Sequence, residues 1–412
     1  MKSQDVIVIG GGIVGLAVAE KLHSQGHRIT LIEREKIAAK ASQGNAAGLA
    51  FSDIMPLASP GIIKKAVKWF LDPVGPFSVV VQDLPQTMGW LLRFLAAARP
   101  AQYRRSIDVQ AALMHLSQKT FPEMLERCKL GDMVRTNGAL HLYQSKESFQ
   151  ADLKKWQFRK EHNIAFDVYE GEALHKFQPG LSPSFVAGIY ANQWQSVSNP
   201  LDFCNALHQY LESAGVKTII AEVSNLSDDG SVTLANGKVL QADKVVLAAG
   251  PWSSTLSAPL GDKVPLIGER GYNTTLDKMA FVGLDHTLVL SDHGFVVVPL
   301  TNGIRVGGAS EIASLDRAPN YKRSKNMLAK AQHLLPALVN DGQGVEWMGA
   351  RPAIPDTLPV ISHATSSKKI IYAFGHGHLG LTQSTATAQL VSEMVADQPL
   401  SMNITPLRVD RF

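Results

Sequence analysis

Gly10, Gly12 and Gly15 form a G-x-G-x-x-G set with Ile13 and Val14 inside it, and Glu33 followed by Arg34 lies a short distance on. A glycine at the first position permits a tight turn. At the second it lets backbone approach a pyrophosphate, and at the third it lets a helix pack closely on a strand. The helix start that follows offers unpaired N–H groups and the positive end of its dipole to phosphate. A carboxylate at Glu33 is spaced to meet ribose hydroxyls and argues against a 2′-phosphate. This chemistry holds a dinucleotide; alone it does not choose between a flavin and a nicotinamide.

A second set lies at the other end of the chain. Gly375-His376-Gly377-His378-Leu379-Gly380-Leu381-Thr382 joins an apolar run to a helical stretch through three glycines. The opening of that helix again presents free N–H groups. A flavin gains negative charge around N1 and O2 on reduction, and a helix N-terminus stabilises it there. A nicotinamide has no such need, so the pair of sites points to FAD, bound non-covalently. His376 and His378 either face the cofactor or bond loop backbone. A third glycine turn, Ala249-Gly250-Pro-Trp252, follows the apolar run 245–248.

These sites need particular elements to hold them. Residues 5–9, Asp-Val-Ile-Val-Ile, are a nearly continuous apolar run, as in a strand buried on both faces of a parallel sheet. Residues 13–25 have helical apolar spacing and Gly26 is placed to end the helix. Residues 28–32 predict a second buried strand, completing a βαβ unit. Strands at 244–248 and 369–374 and a helix at 381–395 bring that order back. Between them, 56–105 mixes short apolar stretches with Pro and Gly. Helices are expected at 107–128, 147–162, 200–214 and 321–334, and strands at 139–143, 216–223, 294–299 and 304–307. Asn236-Gly237 marks a hairpin over 231–240.

Composition excludes several function classes. Of 412 residues, 45% are apolar and 18% charged, which suits a globular core, and the net charge of +4 is spread without a long run. No concentrated basic face suggests nucleic acid. Cys128 and Cys204 have no CxxC context, so neither a disulfide nor a metal site is expected. A strand begins right after Gln4 and no run of 18 apolar residues occurs, so neither a signal peptide nor a membrane span is expected, and a cytoplasmic location fits.

Taken in order, the motifs resemble the glutathione-reductase-like, D-amino-acid-oxidase (DAO) superfamily of flavoenzymes, and within it the bacterial D-amino acid dehydrogenases. The resemblance runs over nearly the whole chain. It rests on the opening glycines and on Ser42-Gln-Gly-Asn45-Ala46-Ala47-Gly48, similar to an S-x-x-N-A-G loop. It continues through Gly268-Glu-Arg-Gly-Tyr272, Arg305-Val-Gly-Gly-Ala-Ser-Glu311, Gly349-Ala-Arg351-Pro-Ala-Ile-Pro-Asp356 and the final G-H-G-x-L-G. It implies a mixed α/β (α+β) fold. A Rossmann-type FAD lobe is discontinuous over 1–55, 196–262 and 346–412. A substrate lobe over 56–195 and 263–345 has a mixed, largely antiparallel sheet and covering helices. Val223, Ala249, Gly250, Trp252 and Gly349 join the expected cofactor contacts.

The resemblance also implies oxidation of an amino acid to an imino acid by hydride transfer to flavin N5, with electrons passed to a quinone or another carrier. It points to Arg351 as the partner of the substrate carboxylate, which a planar guanidinium suits; the alternative is a structural ion pair with Asp356 or Glu346. Relatives place a tyrosine where this chain has Phe295, so Tyr272 or His293 is expected to supply the second contact, or the substrate is a D-proline- or hydroxyproline-like cyclic amine. Arg270 and Arg305 add positive potential near the flavin or sit on solvated surface. Other readings of the same motifs are a glycine- or sarcosine-type amine oxidase, a 2-hydroxy-acid dehydrogenase and a non-enzymatic flavin protein. Finally, the stretches 60–71 and 89–98 combine apolar and basic residues, either as cap helices packing on the substrate lobe or as helices lying on an anionic membrane.

Overall fold

The computed structural model of the chain describes residues 3–61, 77–339 and 342–412. Its organising element is the strand Asp5–Ile9, parallel to Arg28–Glu33 on one side and to Lys244–Leu247 on the other. Lys217–Ile220 extends this sheet beyond Arg28–Glu33. Ile370–Phe374 extends it beyond Lys244–Leu247, and Val360–His363 closes it antiparallel, giving six strands.

Successive side chains on a strand point to opposite faces, and here both faces are cores. Val6 and Val8 pack with Leu16, Val18 and Leu22 of the helix Ile13–Ser24 and with Leu390 and Val391 of the helix Gly380–Val395. Ile7 and Ile9 pack on the other side with Val232 and Leu234 of a three-stranded antiparallel sheet, Val223–Leu226, Ser231–Leu234 and Val239–Gln241. The hairpin within it turns at Gly237, whose φ is +82°. The expected strand at 216–223 is split instead: residues 217–220 join the parallel sheet and Val223 starts the antiparallel one.

A second sheet stands across the cavity from the first. Its spatial order is Val345–Ala353, Ile267–Leu276, Gly303–Ile312, Phe295–Leu300, Thr287–Leu290, Ala139–Tyr143, Ala187–Ala191 and Asp167–Glu170, with Phe77–Val79 pairing alongside residues 310–312. It is mixed and largely antiparallel; Thr287–Leu290 runs parallel to Ala139–Tyr143. Val297, Val306 and Ile304 face a core beneath the helix Lys322–Leu334. Residues 345–353 pair with 267–275 in this sheet, so a lobe boundary at 346 falls inside one of its strands.

The helix Leu84–Ala97 shows apolar groups on two sides. Trp90 and Phe94 stack at 5.2 Å and join a small core with Ile312 and Ala353, while Met88, Leu92 and Leu95 are exposed. The basic stretch expected at 60–71 lies outside the described residues from 62 onward. Among the described residues, no helix is long and apolar enough to cross a membrane. Cys128 and Cys204 are buried free thiols.

The close approach of the first helix to its strand is testable. A Cβ on Gly15 would lie 1.9 Å from the carbonyl oxygen of Gly10. Gly15→Ala is expected to destabilise the protein by about 1–3 kcal/mol, the usual cost of forcing atoms into a filled space. Thermal melting should show the loss, and the purified variant should retain less flavin by absorbance. An unchanged melting temperature and flavin content would contradict the contact.

Candidate active site

The parallel strands end at one edge, and the cavity opens there. Gly10 follows Ile9 with φ +112°, and a Cβ on it would strike the Ala248 carbonyl at 2.3 Å. Only glycine lets the chain turn this close to the neighbouring strand. The helix Ile13–Ser24 begins at Gly12 with no side-chain cap and no acid in its first turn. Ile13 N–H donates to Ser42 Oγ at 3.0 Å. Glu33 accepts from Gly11 N–H at 2.7 Å through one oxygen and from Glu35 N–H at 3.0 Å through the other. Each oxygen keeps a lone pair for a ribose hydroxyl. Beyond it, the Arg34 guanidinium lies 4.5 Å over the Trp252 ring, and Val223, Ala249 and Gly250 line the same cleft.

The loop 42–48 is held from within and from across the cavity. Asn45 Nδ2 donates to the Ser42 carbonyl and its Oδ1 accepts from Ala47 N–H, which keeps Ala47 at φ +58°. From the second sheet, Asn273 Nδ2 donates to the Gly44 carbonyl at 2.8 Å and Arg305 Nη1 to the Asn45 carbonyl at 2.7 Å. Arg305 has no carboxylate partner among the described residues, and burial lowers its pKa to about 10. The helix Gly380–Val395 starts at the same place, also uncapped and without acid in its first turn. Thr382 Oγ1 accepts from Ala50 N–H and donates to the Gly48 carbonyl. His376 is buried and bonded to Thr387 Oγ1 at 2.8 Å, and burial depresses its pKa to about 3.

The far wall belongs to the second sheet. Across the pair 267–275/345–353, Glu269 stands opposite Arg351, Gly271 opposite Gly349 and Asn273 opposite Trp347. These residues share one face and line the cavity. Arg351 Nη1 donates to Glu269 Oε1 at 2.8 Å and to the Ala309 carbonyl at 3.2 Å. Ala309 sits at φ +54° where the pairing of Ile267–Leu276 with Gly303–Ile312 slips, a bulge that leaves its carbonyl within reach of the guanidinium. The expected alternatives for Arg351 are occupied elsewhere: Asp356 pairs with Arg411 at 2.8 Å and Glu346 accepts from Ser324.

His378, an expected cofactor contact, lines the cavity with Asp53, His141 and Arg159, which carry no motif in the sequence. His378 Nε2 lies 3.4 Å from Asp53 Oδ2, and Arg159 Nη2 lies 3.9 Å from Asp53 Oδ1 while stacking 4.3 Å over Trp156. Burial raises the Asp53 pKa, yet His378 and Arg159 more than offset this and hold it below the ordinary value. His141 is edge-on to Trp156 at 4.9 Å and to Trp194 at 6.3 Å, with its buried Nε2 unpartnered. Burial, then the Arg159 charge, brings its pKa down to about 4.

Of Tyr272, His293 and Phe295, the first and the last line the cavity. The Tyr272 hydroxyl donates to Glu311 at 2.6 Å and accepts from Asn320 N–H. His293 is bonded to Gln144 and is not among the cavity-lining residues. Phe295 lines the cavity and also packs with Val297 in the core under Lys322–Leu334. Arg270 and Arg305 are both buried, which corrects the solvated-surface alternative: Arg270 pairs with Glu311 behind the sheet, while Arg305 lines the cavity.

The walls enclose one continuous cavity of about 760 Å³, running from Gly10 to Arg351 and His378. The residues fit FAD: a glycine turn that any Cβ would block, two helix starts with no acid in their first turns, an acid poised for ribose, and a long connected cleft. The chain matches the FAD-dependent oxidoreductase family, DAO, over residues 5–394, and it belongs to that family. It is thus an FAD-binding oxidoreductase. Among relatives, it is 31% identical to a D-amino-acid oxidase of Bradyrhizobium diazoefficiens, covering 100% of this chain and 99% of the other. It is 27% identical to a D-amino acid dehydrogenase of the same organism, covering 99% and 98%. In fold it is similar to glycine oxidase from Geobacillus kaustophilus, with a TM-score of 0.78 at 20% identity over both whole chains.

Buried His376 and half-buried His141 on the cavity wall set a pH dependence. Unfolded, each titrates near 6.5; folded, His141 does so near 4 and His376 near 3. Between these values the unfolded chain binds more protons, so stability falls as pH is lowered from about 6.5 to 4. His376→Gln is expected to flatten that decline in melting temperature, whatever it costs at neutral pH. The same slope in His376→Gln and His141→Gln as in the parent would disprove the assignment.

Proposed function

We propose that the protein is an amino acid dehydrogenase. It oxidises a D-amino acid to the imino acid, which water hydrolyses to the 2-oxo acid, and its electrons go to a quinone or another carrier. The observation that supports this most is the placement of Arg351. It is a partly buried guanidinium on the cavity wall whose Nη2 and Nε make no hydrogen bond among the described residues, beside Gly271, where a Cβ would meet Nη2 at 2.3 Å. A bidentate carboxylate is the natural ligand of such a fork.

When bound, FAD supplies the two-electron acceptor. The residues of this chain bind and orient. Arg351 holds the carboxylate and Pro352 stiffens the strand beside it. Asn273 and Arg305 fix the loop 42–48 against the second sheet, and the Trp194, Trp156 and His141 wall excludes water from the side-chain end. The substrate reacts with its amine neutral, so that the nitrogen lone pair forms the C=N bond as the α-hydrogen departs with its electron pair. Fixing both reactants in one orientation is the main source of acceleration in such a site. The exposed Met88, Leu92 and Leu95 stripe, with Arg93 and Arg99 nearby, supports contact with an anionic membrane that carries the quinone.

Arg351→Ala is expected to raise KM for the amino acid by about 100-fold or more, the scale of losing a charged, bidentate hydrogen-bonded partner. Anaerobic flavin bleaching across D- and L-amino acids gives the measurement, and near-parental kinetics would sink the carboxylate role. The similarity to a D-amino-acid oxidase favours oxygen as a second reading for the acceptor. A carrier-linked enzyme reduces a quinone analogue or dye without oxygen and forms little hydrogen peroxide in air. Stoichiometric peroxide would establish the oxidase instead.

A further inference from the structure

The ion pair on the cavity wall is only half used. Arg351 Nη1 and Ser310 Oγ both donate to Oε1 of Glu269, and Oε2 takes no hydrogen bond among the described residues. On the other partner, Nη1 makes the guanidinium's three hydrogen bonds among the described residues, to Glu269, Ala309 and Ser310. The unspent atoms, Oε2 of Glu269 and Nη2 and Nε of Arg351, belong to facing residues of one antiparallel pair, and both residues line the cavity. Their side chains are 12% and 25% exposed, so neither group is sealed in protein as a purely structural pair would be. A fixed acid here also opposes any ligand that brings only a negative charge to Arg351.

We propose that Glu269 and Arg351 form a two-armed clamp for the zwitterionic head of an α-amino acid, with the carboxylate on Arg351 and the ammonium on Oε2 of Glu269. This rests on the reading of Arg351 given above. An α-amino acid carries its two charges on adjacent carbon substituents, and the cross-strand pair presents the complementary charges side by side. Glu269 also takes one proton: an N–H bond of the ammonium breaks, its electron pair stays on nitrogen, and an O–H bond forms at Oε2. The amine is then neutral, as departure of the α-hydrogen requires. A 2-hydroxy acid or a simple carboxylate offers Glu269 no cation and must compete with it for Arg351. Glu269 is thereby the residue that selects amino acids over their oxygen analogues, through repulsion as much as attraction.

The test uses the flavin-loaded enzyme and two ligands of nearly equal shape, D-proline and cyclopentanecarboxylate, with D-alanine and propionate as a smaller pair. Binding is read from the perturbed flavin spectrum or from half-saturation of anaerobic bleaching. Glu269→Gln is expected to weaken the amino acid by about 10- to 100-fold, the worth of one charged hydrogen bond, while the amine-free analogue binds as tightly as before or tighter. Glu269→Asp should keep a preference for the amino acid. Equal weakening of both ligands marks a structural role and overturns the clamp, as does unchanged amino-acid binding in Glu269→Gln. If Arg351→Ala still binds both ligands at parental strength, the carboxylate reading itself has failed, an outcome separate from those two.

Discussion

Three parallel strands, Arg28–Glu33, Asp5–Ile9 and Lys244–Leu247, end at one edge of a sheet whose two faces are both covered. Helices on one face and the three-stranded sheet on the other leave only the carboxyl ends of these strands open. Ligands of open α/β sheets bind at that edge for this reason. Gly10, Glu33 and the turn 248–252 are therefore brought to one rim from three distant stretches of chain. The last helix reaches the same rim because Ile370–Phe374 lies beside Lys244–Leu247. Shifting any strand by one residue would exchange its two cores and turn its terminal group away from the rim.

On the opposite wall, the alternation of side chains does the sorting. In Ile267–Leu276, the side chains of Glu269, Gly271 and Asn273 share one face toward the cavity, while those of Arg270 and Tyr272 reach Glu311. The partner strand contributes Trp347, Gly349 and Arg351 to the same face. Glycines alternate with functional groups there because flat side chains lie over them: the Arg351 guanidinium over Gly271 and the Trp347 ring over Gly349.

The cofactor half of the cavity was legible because it is built from local signals. A run of apolar residues, a glycine turn and a helical period all lie within a few residues of one another, and the structure has the strand at 5–9 and the helix from 13 as expected. The substrate half was less so. The motif Gly268-Glu-Arg-Gly-Tyr272 is visible in the sequence, yet without the strand 267–276 its members cannot be assigned to faces, and Glu269 carries no signal that sets it apart. The same period-two argument applied to that strand would have grouped Glu269 with Asn273. Asp53, His141, Trp156 and Arg159 carried no motif at all; they converge only through packing of the strand Ala139–Tyr143 and the helix Lys146–Arg159 against the loop at 50–58.

Arg305 carries a further consequence. It is a buried cation with no counter-charge of its own among the described residues, standing near two helix starts that also lack one. Taking a charge out of water is costly unless something answers it. An anionic ligand bound in the cavity would answer such positive charge, and part of the free energy that keeps the loaded chain folded would then reside in a molecule the chain does not encode. Its abundance in a cell is thereby tied to the supply of that molecule: chains made when it is scarce populate the unfolded state more, and quality control meets them there first.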